Sequence, residues 1–474
     1  MRTTKVLGLA ALLTLTGCNF APPYERPNVA TPEAYKESGP WSPVSAQTSP
    51  IANDWWAGFG DAVLNDLEGK IEQGSPRLAV AVARYDQARG ITGQLRGSLL
   101  PSVDLRGSAG RVRLSANRPL QSKAAEYNDY VVGGALSYEL DLWGRVRNLV
   151  AQGKANERAS AADLEGVRLS LQAELAEDYL RLRADDAQIT LLTDTVEAYT
   201  RAYDLTVNRH DAGASSAIDV GRAETQLAST KAQLADLMAD RALREHAIAA
   251  LLGEPASAFA IAPNVPKFTY PVVPVGVPSA ILLRRPDIAA AERRVAAANA
   301  AIGIQRAAFF PQITLGASGG YETAGVNLLS APSTFWALGP AQGLLSVFDG
   351  GKRSAALLTA HAEFDEAAAN YRNTVLNGFR DVEDQMTLAN RLAEEEAHQD
   401  TAVAAAARTS NLALVRYREG ASDYLAVVTA QTAALQNETA QLNVRTRRLL
   451  ATVGLIRALG GSWSNFNNIN NLER

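Results

Sequence analysis

Apolar residues recur along this chain with two periods, and the two take turns. Leu175, Leu182, Ile189, Val196 and Tyr203 fall every seven residues, with Leu164, Leu171, Leu192 and Tyr199 on a companion seam. No proline interrupts residues 150–209. The stretch therefore predicts one helix of about 60 residues, roughly 90 Å long. Val220, Leu227, Leu234 and Ile248 form a second series, broken by Arg241; Val428, Leu435, Leu442, Leu449 and Ile456 form a third. A strict seven-residue repeat predicts left-handed coiled-coil packing. Between these helical stretches the period drops to two. Val132, Gly134, Leu136, Tyr138, Leu140 and Leu142 share one face, and Gly133, Ala135, Ser137, Glu139 and Asp141 the other. The same alternation runs through residues 103–109, through Ile313, Leu315, Ala317, Gly319 and Tyr321, and through residues 335–348. Four strands are expected, near 102–115, 128–142, 311–322 and 335–348. Each has a length suited to a tilted membrane-spanning strand, though a half-buried soluble sheet alternates in the same way.

The pattern occurs twice. Arg209-His210-Asp211-Ala212-Gly213-Ala214-Ser215-Ser216 returns as Arg416-Tyr417-Arg418-Glu419-Gly420-Ala421-Ser422-Asp423, an offset of 207 that joins Arg145 to Lys352 and Gly253 to Gly460. Upstream the offset becomes 210, pairing Pro76 with Pro286 and Pro101 with Pro311. An old internal duplication leaves such a trace, and repeats decide the fold before anything else does. In each copy a glycine, Gly213 or Gly420, can take φ > 0 and end one helix. Ser216 and Asp219 have capping-box spacing, and Ser422 or Asp423 can cap in the second copy. Each copy thus carries a helical hairpin. Residues 141–145 and 348–353 read as strand-to-helix corners; the Gly350-Gly351-Lys352 run lacks the residues of a phosphate loop. The expected division is a signal peptide at 1–17, a Pro-rich tether at 18–58, repeats at 59–260 and 261–460, and a tail at 461–474.

Charge is close to balanced, −4 overall, and −6 once Arg2 and Lys5 leave with the first 17 residues. No basic block speaks for nucleic acid. A basic start, an apolar core at residues 6–15 and Leu15-Thr16-Gly17-Cys18 have the form of a bacterial lipobox. Cys18, the only cysteine, is then the lipidated first residue of the mature protein; a plain signal peptide with a chance cysteine is the alternative. Asn19 in place of Asp favours the outer membrane. No later run is apolar and long enough for a membrane helix, so any span must be made of strands. Catalytic constellations are absent. His210, His246, His361 and His398 are scattered, and neither a His-Glu-x-x-His motif nor a nucleophile elbow occurs. Neither metal nor cofactor is expected beyond covalent lipid on Cys18.

Several short motifs, in this order and spacing, are shared with one family. They are the box at Cys18; Asp54-Trp55-Trp56 with Phe59; Leu282-Leu283-Arg284-Arg285-Pro286-Asp287-Ile288; Phe309-Phe310-Pro311; Phe348-Asp349-Gly350-Gly351; and Tyr417-Arg418-Glu419-Gly420. Through them nearly the whole mature chain resembles the TolC family of outer-membrane efflux ducts, in its lipoprotein branch of OprM and NodT type. That resemblance implies a homotrimer, mostly α with transmembrane β, in which four strands per chain build a twelve-stranded β-barrel continued by a coiled-coil α-barrel. It also implies a periplasmic membrane-fusion adaptor and an inner-membrane transporter of resistance-nodulation-division type as partners. Gate residues are expected at the hairpin turns: Tyr417 matches the family's tyrosine beside the turn and Asp219 its aspartate after the first turn. A capping role for Asp219 and seam packing for Tyr417 are the plainer readings. Gly213, Ala214, Gly420 and Ala421 are the expected adaptor contacts. Ser422 stands where many members have arginine, and Ala426 and Thr429 where they have aspartate, so a salt-bridged latch or second acidic ring is not expected. The alternative function is a lipid-anchored periplasmic coiled-coil scaffold without a pore.

The lipobox generates the first test. Mass spectrometry of the mature amino terminus is expected to find Cys18 acylated, and a terminus elsewhere would refute the assignment.

Overall fold

The computed structural model describes residues 19–37, 51–117, 124–273, 282, 284–325 and 335–463. The expected signal peptide, Cys18 and nearly all of the expected tail lie outside these residues. The first copy runs α1 (Ala62–Gly74), α2 (Pro76–Gly97), β1 (Ser102–Leu114), β2 (Ala125–Leu140), α3 (Arg145–Asp211) and α4 (Ala217–Leu252). The second runs α5 (Pro286–Ala307), β3 (Gln312–Thr323), β4 (Phe335–Leu338), β5 (Ala341–Leu344), α6 (Lys352–Arg418) and α7 (Tyr424–Ala458). Helices α3 and α6 have 67 residues each, about 100 Å. Helices α2 and α5 have 22 each and both begin on proline, whose missing N–H would be unpaired in a first turn anyway. The offsets read from the sequence are therefore the offsets of the elements.

The chain forms two compact units. The first, residues 1–28, 84–161 and 290–372, holds the sheet. It is antiparallel, in the order β1-β2-β3-β4, with β5 also on β3. Register places Val103, Leu105, Gly107 and Ala109 opposite Leu136, Gly134, Val132 and Tyr130. These lie in turn opposite Ala317, Gly319, Tyr321 and Thr323. One face of β1–β3 is thus apolar, and the other carries Asp104, Arg106, Ser137, Glu139, Thr314 and Ser318. The fourth strand differs from expectation. It ends at Leu344 rather than 348, and Gly339-Pro340 splits it into β4 and β5. Both pieces keep one register against β3, and the Pro340 carbonyl still accepts from Gly316 N at 2.8 Å. Proline breaks the ladder because it has no N–H to return, which is tolerated on an edge. Leu142 leaves the expected strand face because Asp141 turns to cap α3, accepting from Val146 N and Arg147 N at 3.0 and 2.8 Å. Asp349 caps α6 from the matching corner.

The chain beside Cys18 is also placed. Phe20 stacks on Phe310 at 4.4 Å, and Trp143 stacks on the same ring at 5.0 Å. Asn148 donates to Asn19 and Asn299 to the Pro22 carbonyl, while the Tyr24 hydroxyl donates to Glu292 at 2.7 Å. Gly303 permits this approach: a Cβ there would lie 2.7 Å from that of Ala21. Residues 19–24 therefore lie along α5.

The second unit, residues 29–83, 162–289 and 373–474, contains the hairpins. Leu171, Leu175, Leu182, Leu192 and Tyr199 are buried as the seams predict. Near the second turn the buried residue is Val427, while Val428 is half-buried. Arg241, the break in the heptad, is no defect. Its guanidinium meets Asp186 and Glu245 at 2.8 Å each and donates to the Ile261 carbonyl at 2.6 Å. Arg183 pairs with Asp186 at 2.8 Å, both side chains 2 % exposed, and donates to the Ala262 carbonyl. Buried charges persist only when every one is paired. Here the pairing fastens the link between the two copies to α3 and α4. Farther along that link, Tyr270 lies under the Arg448 guanidinium at 3.9 Å and bonds Glu396.

The sheet generates a paired prediction. A Cβ on Gly320 would collide with the Val132 carbonyl and sit 2.6 Å from Gly133 Cα, whereas on Gly134 its nearest neighbour is 3.7 Å away. Gly320→Ala is expected to lower the thermal midpoint and the yield of heat-resistant assembled protein on unboiled gels. Gly134→Ala is expected to stay near wild type. Equal stability of the two would show that β2 and β3 separate there without cost.

Candidate functional site at the paired hairpin turns

Both turns close by the same hydrogen bonds. Ala214 N donates to Arg209 O and Gly213 N to His210 O, at 2.7 and 2.8 Å; Ala421 N donates to Arg416 O and Gly420 N to Tyr417 O, at 2.8 and 3.1 Å. These are Schellman closures, which satisfy the last carbonyls of a helix and need a left-handed residue. Gly213 and Gly420 supply it, with φ of 74° and 76°. A Cβ at either would meet nothing within 4 Å, so backbone conformation alone calls for glycine within the chain. Gly213, Ala214, Gly420 and Ala421 are all exposed.

The following helices are capped differently. Ser216 and Asp219 form the full capping box: Ser216 Oγ accepts from Asp219 N, and the Asp219 carboxylate accepts from Ser216 N and Oγ. Arg222 lies 3.7 Å from the same carboxylate. On α7 the cap is Asp423, which accepts from Ala426 N at 3.1 Å, while Ser422 Oγ is buried without a partner.

Beneath the turns the four long helices meet. Ala202 of α3, Ala223 of α4, Tyr417 of α6, and Tyr424 and Val427 of α7 form a buried cluster, flanked by Tyr203, Leu205, Leu414 and Val428. The Tyr417 and Tyr424 rings meet edge to face at 5.3 Å, a favoured aromatic geometry. The Tyr417 hydroxyl reaches Thr206 Oγ1 at 3.4 Å. Arg209 donates to the Tyr417 carbonyl at 2.8 Å, with its guanidinium 4.6 Å from the centre of the Tyr417 ring. Of the two expected gate residues, then, Tyr417 joins hairpin to hairpin, while Asp219 is occupied by its own cap. Sequence reading missed Arg209, Thr206 and Tyr424. One signal was available: Arg209 and Arg416 are equivalent under the duplication, whereas His210 stands where the second copy has Tyr417. Among the described residues no cluster of His, Cys, Asp and Glu could hold a metal ion, and no helix is long and apolar enough to cross a membrane.

Burial raises the Tyr424 hydroxyl to about 12, with Tyr417, Tyr199 and Asp219 adding to the effect. The folded state therefore holds this proton more tightly than the unfolded chain, whose tyrosine titrates near 10. The associated stability is complete below about pH 10 and is lost as pH rises through about 12, up to roughly 2–3 kcal/mol. Tyr424→Phe is expected to shrink the fall in thermal midpoint between pH 10 and 12. An unchanged fall would assign it to other groups.

Comparison with known proteins follows the same outline. The sequence model of the outer membrane efflux protein family matches residues 67–254 and again residues 277–461. These are two matches, with starts 210 apart and ends 207 apart. The outer membrane protein OprJ of Pseudomonas aeruginosa is 33 % identical over 470 residues, covering 97 % of this chain and 96 % of that one. The toluene efflux pump outer membrane protein TtgF of Pseudomonas putida is 30 % identical over 469 residues, with 98 % of each chain covered. Among solved structures, the outer-membrane channel OprN superposes with a TM-score of 0.86 at 29 % identity, covering 94 % of this chain and 99 % of that one. The open state of the Neisseria gonorrhoeae MtrE outer membrane channel gives 0.84 at 26 % identity over the same shares.

Proposed function

This chain belongs to the outer membrane efflux protein family and is an outer-membrane efflux channel; we propose that three copies form the passive exit duct of a tripartite pump. An inner-membrane transporter of resistance-nodulation-division type supplies the energy, and a periplasmic membrane-fusion adaptor docks at the hairpin turns, on Gly213, Ala214, Gly420 and Ala421. Tyr417 and Asp219 belong to the periplasmic gate, and acyl chains on Cys18 add a lipid anchor. Relatives named for toluene and antibiotic efflux support small organic molecules as cargo.

The observation that carries this reading is the sheet. On β2 the apolar face runs from Tyr130 through Val132, Gly134, Leu136 and Tyr138 to Leu140. At about 3.3 Å per residue and a tilt near 45° this spans roughly 25 Å of membrane, the height of an outer-membrane apolar band. Beyond Tyr130 the same face turns polar, with Arg111 opposite Asn128 and Arg113 opposite Glu126. Four strand positions cannot close a barrel. Two chains would give eight strands, an interior that side chains fill; three give twelve and leave room for water. A poreless scaffold would have no use for such a band.

The test is reconstitution. Purified protein is expected to run as a trimer and to conduct ions in planar bilayers. Leu136→Arg is expected to cost about 2–4 kcal/mol at the bilayer midplane and to cut outer-membrane yield, while Ser137→Arg on the opposite face assembles. A water-soluble monomer without channel activity would overturn the proposal.

A further inference from the structure

We propose that Arg111 and Arg113 of β1 form an outward-facing site for a phosphorylated glycolipid of the outer leaflet, one site per protomer, directly beyond the apolar band of the sheet. The proposal rests on the duct reading above and deepens it.

Register fixes the face. Arg111 stands opposite Asn128 and Arg113 opposite Glu126, in line with Val103, Leu105, Gly107 and Ala109 of the apolar face. The far end of that face is aromatic. Tyr130 lies opposite Ala109, and Tyr321 and Phe335, partners in register, meet edge to face at 5.7 Å. Aromatic rings mark the level at which hydrocarbon gives way to headgroups. Arg111 is two residues beyond Ala109, about 7 Å along the strand and roughly 5 Å in height at a tilt near 45°. Both arginines are exposed, at headgroup level on the lipid side. The helices join the sheet at its other end, at Ser102, Leu140 and Gln312, so in a duct the arginine end lies in the outer leaflet. The glycolipid of that leaflet carries phosphates on its sugars, and guanidinium groups hold phosphate through paired N–H donors.

One acid accompanies the pair. Glu126 accepts from Arg111 at 2.9 Å, with side chains 49 % and 73 % exposed, and an ion pair so open to water contributes little and exchanges easily for a stronger anion. Arg113 has no ion pair among the described residues. The duplication supplies an internal control. Residues 111–125 contain Arg111, Arg113, Arg118 and Lys123 and no acid, whereas the equivalent residues 321–335 contain Glu322 and no cation. Tyr321 and Thr323 stand where the first copy has Arg111 and Arg113. A strand that had only to leave the membrane would be served by Thr323 in both copies. Only the first copy offers guanidinium groups there, and both come from one strand.

The test is lipid binding by the assembled, delipidated trimer, followed by native mass spectrometry. The probe is lipid A, an acylated glucosamine disaccharide bearing two phosphates. Wild type is expected to take up three molecules, and lipid A stripped of its phosphates to bind about thirtyfold more weakly, equivalent to ~2 kcal/mol. Arg111→Gln combined with Arg113→Gln is expected to lose the same factor for intact lipid A, with the trimer and its conductance kept. Arg106→Gln, on the same strand but the polar face, is expected to bind as wild type does. Excess inorganic phosphate is expected not to displace the lipid. Equal binding of the two lipid forms by wild type overturns the proposal without any variant, which covers a double variant that fails to assemble. So does undiminished binding by the double variant, an equal loss in Arg106→Gln, or displacement by phosphate alone, which would mark a site for a free anion. A wild-type trimer that conducts but takes up no lipid A refutes the lipid site and leaves the duct standing. Wild-type protein that neither assembles nor conducts sinks the duct reading itself, and the lipid site with it.

Discussion

An antiparallel sheet of four strand positions has two edges, and each edge is a row of unpaired N–H and C=O groups. In water such edges invite aggregation; in a hydrocarbon layer they cannot exist at all. This constraint governs the rest of the protein. Register gives β1–β3 one apolar and one polar face, so the sheet belongs at a boundary between lipid and water. Among the described residues, nothing pairs the outer sides of β1 and of β4 and β5. Other copies must do so, and the number of copies then sets the width of the pore. Two corners lead from the sheet into helices, where the carboxylates of Asp141 and Asp349 each cap a 67-residue helix.

Duplication supplied both halves of the plan, and later divergence gave them separate tasks. Gly213 and Gly420 still close their turns identically. The caps have separated into a Ser216–Asp219 box and a single Asp423. His210 is exposed and bonds its own turn at Ser215 O, whereas its counterpart Tyr417 is buried among all four long helices. The first copy contributes the arginine and the second the aromatic ring that it covers. A tip built from two identical hairpins could not hold a contact that points only one way.

Local and periodic features were legible in the sequence. Seven-residue seams, two-residue alternation, turn glycines, cap residues and the 207-residue offset are each visible within a short window or by self-comparison, and the corresponding elements begin and end within a few residues of expectation. Contacts between distant residues were not legible. Arg209 and Tyr417 are 208 positions apart; Arg241 and Asp186 are 55 apart; Tyr24 and Glu292 are 268 apart. Composition carries no trace of such pairs. Arg241 did leave a mark as the apolar seam's interruption, and a charge at a seam position is a reason to seek a buried partner. Pro340 was plain in the sequence too, but its effect on strand four depended on which neighbour its missing N–H would have faced.

That direction has a consequence. In an antiparallel ladder, successive residues point their N–H and C=O groups alternately to one neighbour and the other. Pro340 faces β3, as its bond from Gly316 shows. Gly339 and Ala341, on either side of it, therefore face away from β3. The proline spends its missing bond inward, between two strands already joined covalently through the chain. The outward row of donors stays unbroken. A strand pairing with that outer edge would meet no gap at Pro340, and the weak link falls within the chain's own sheet.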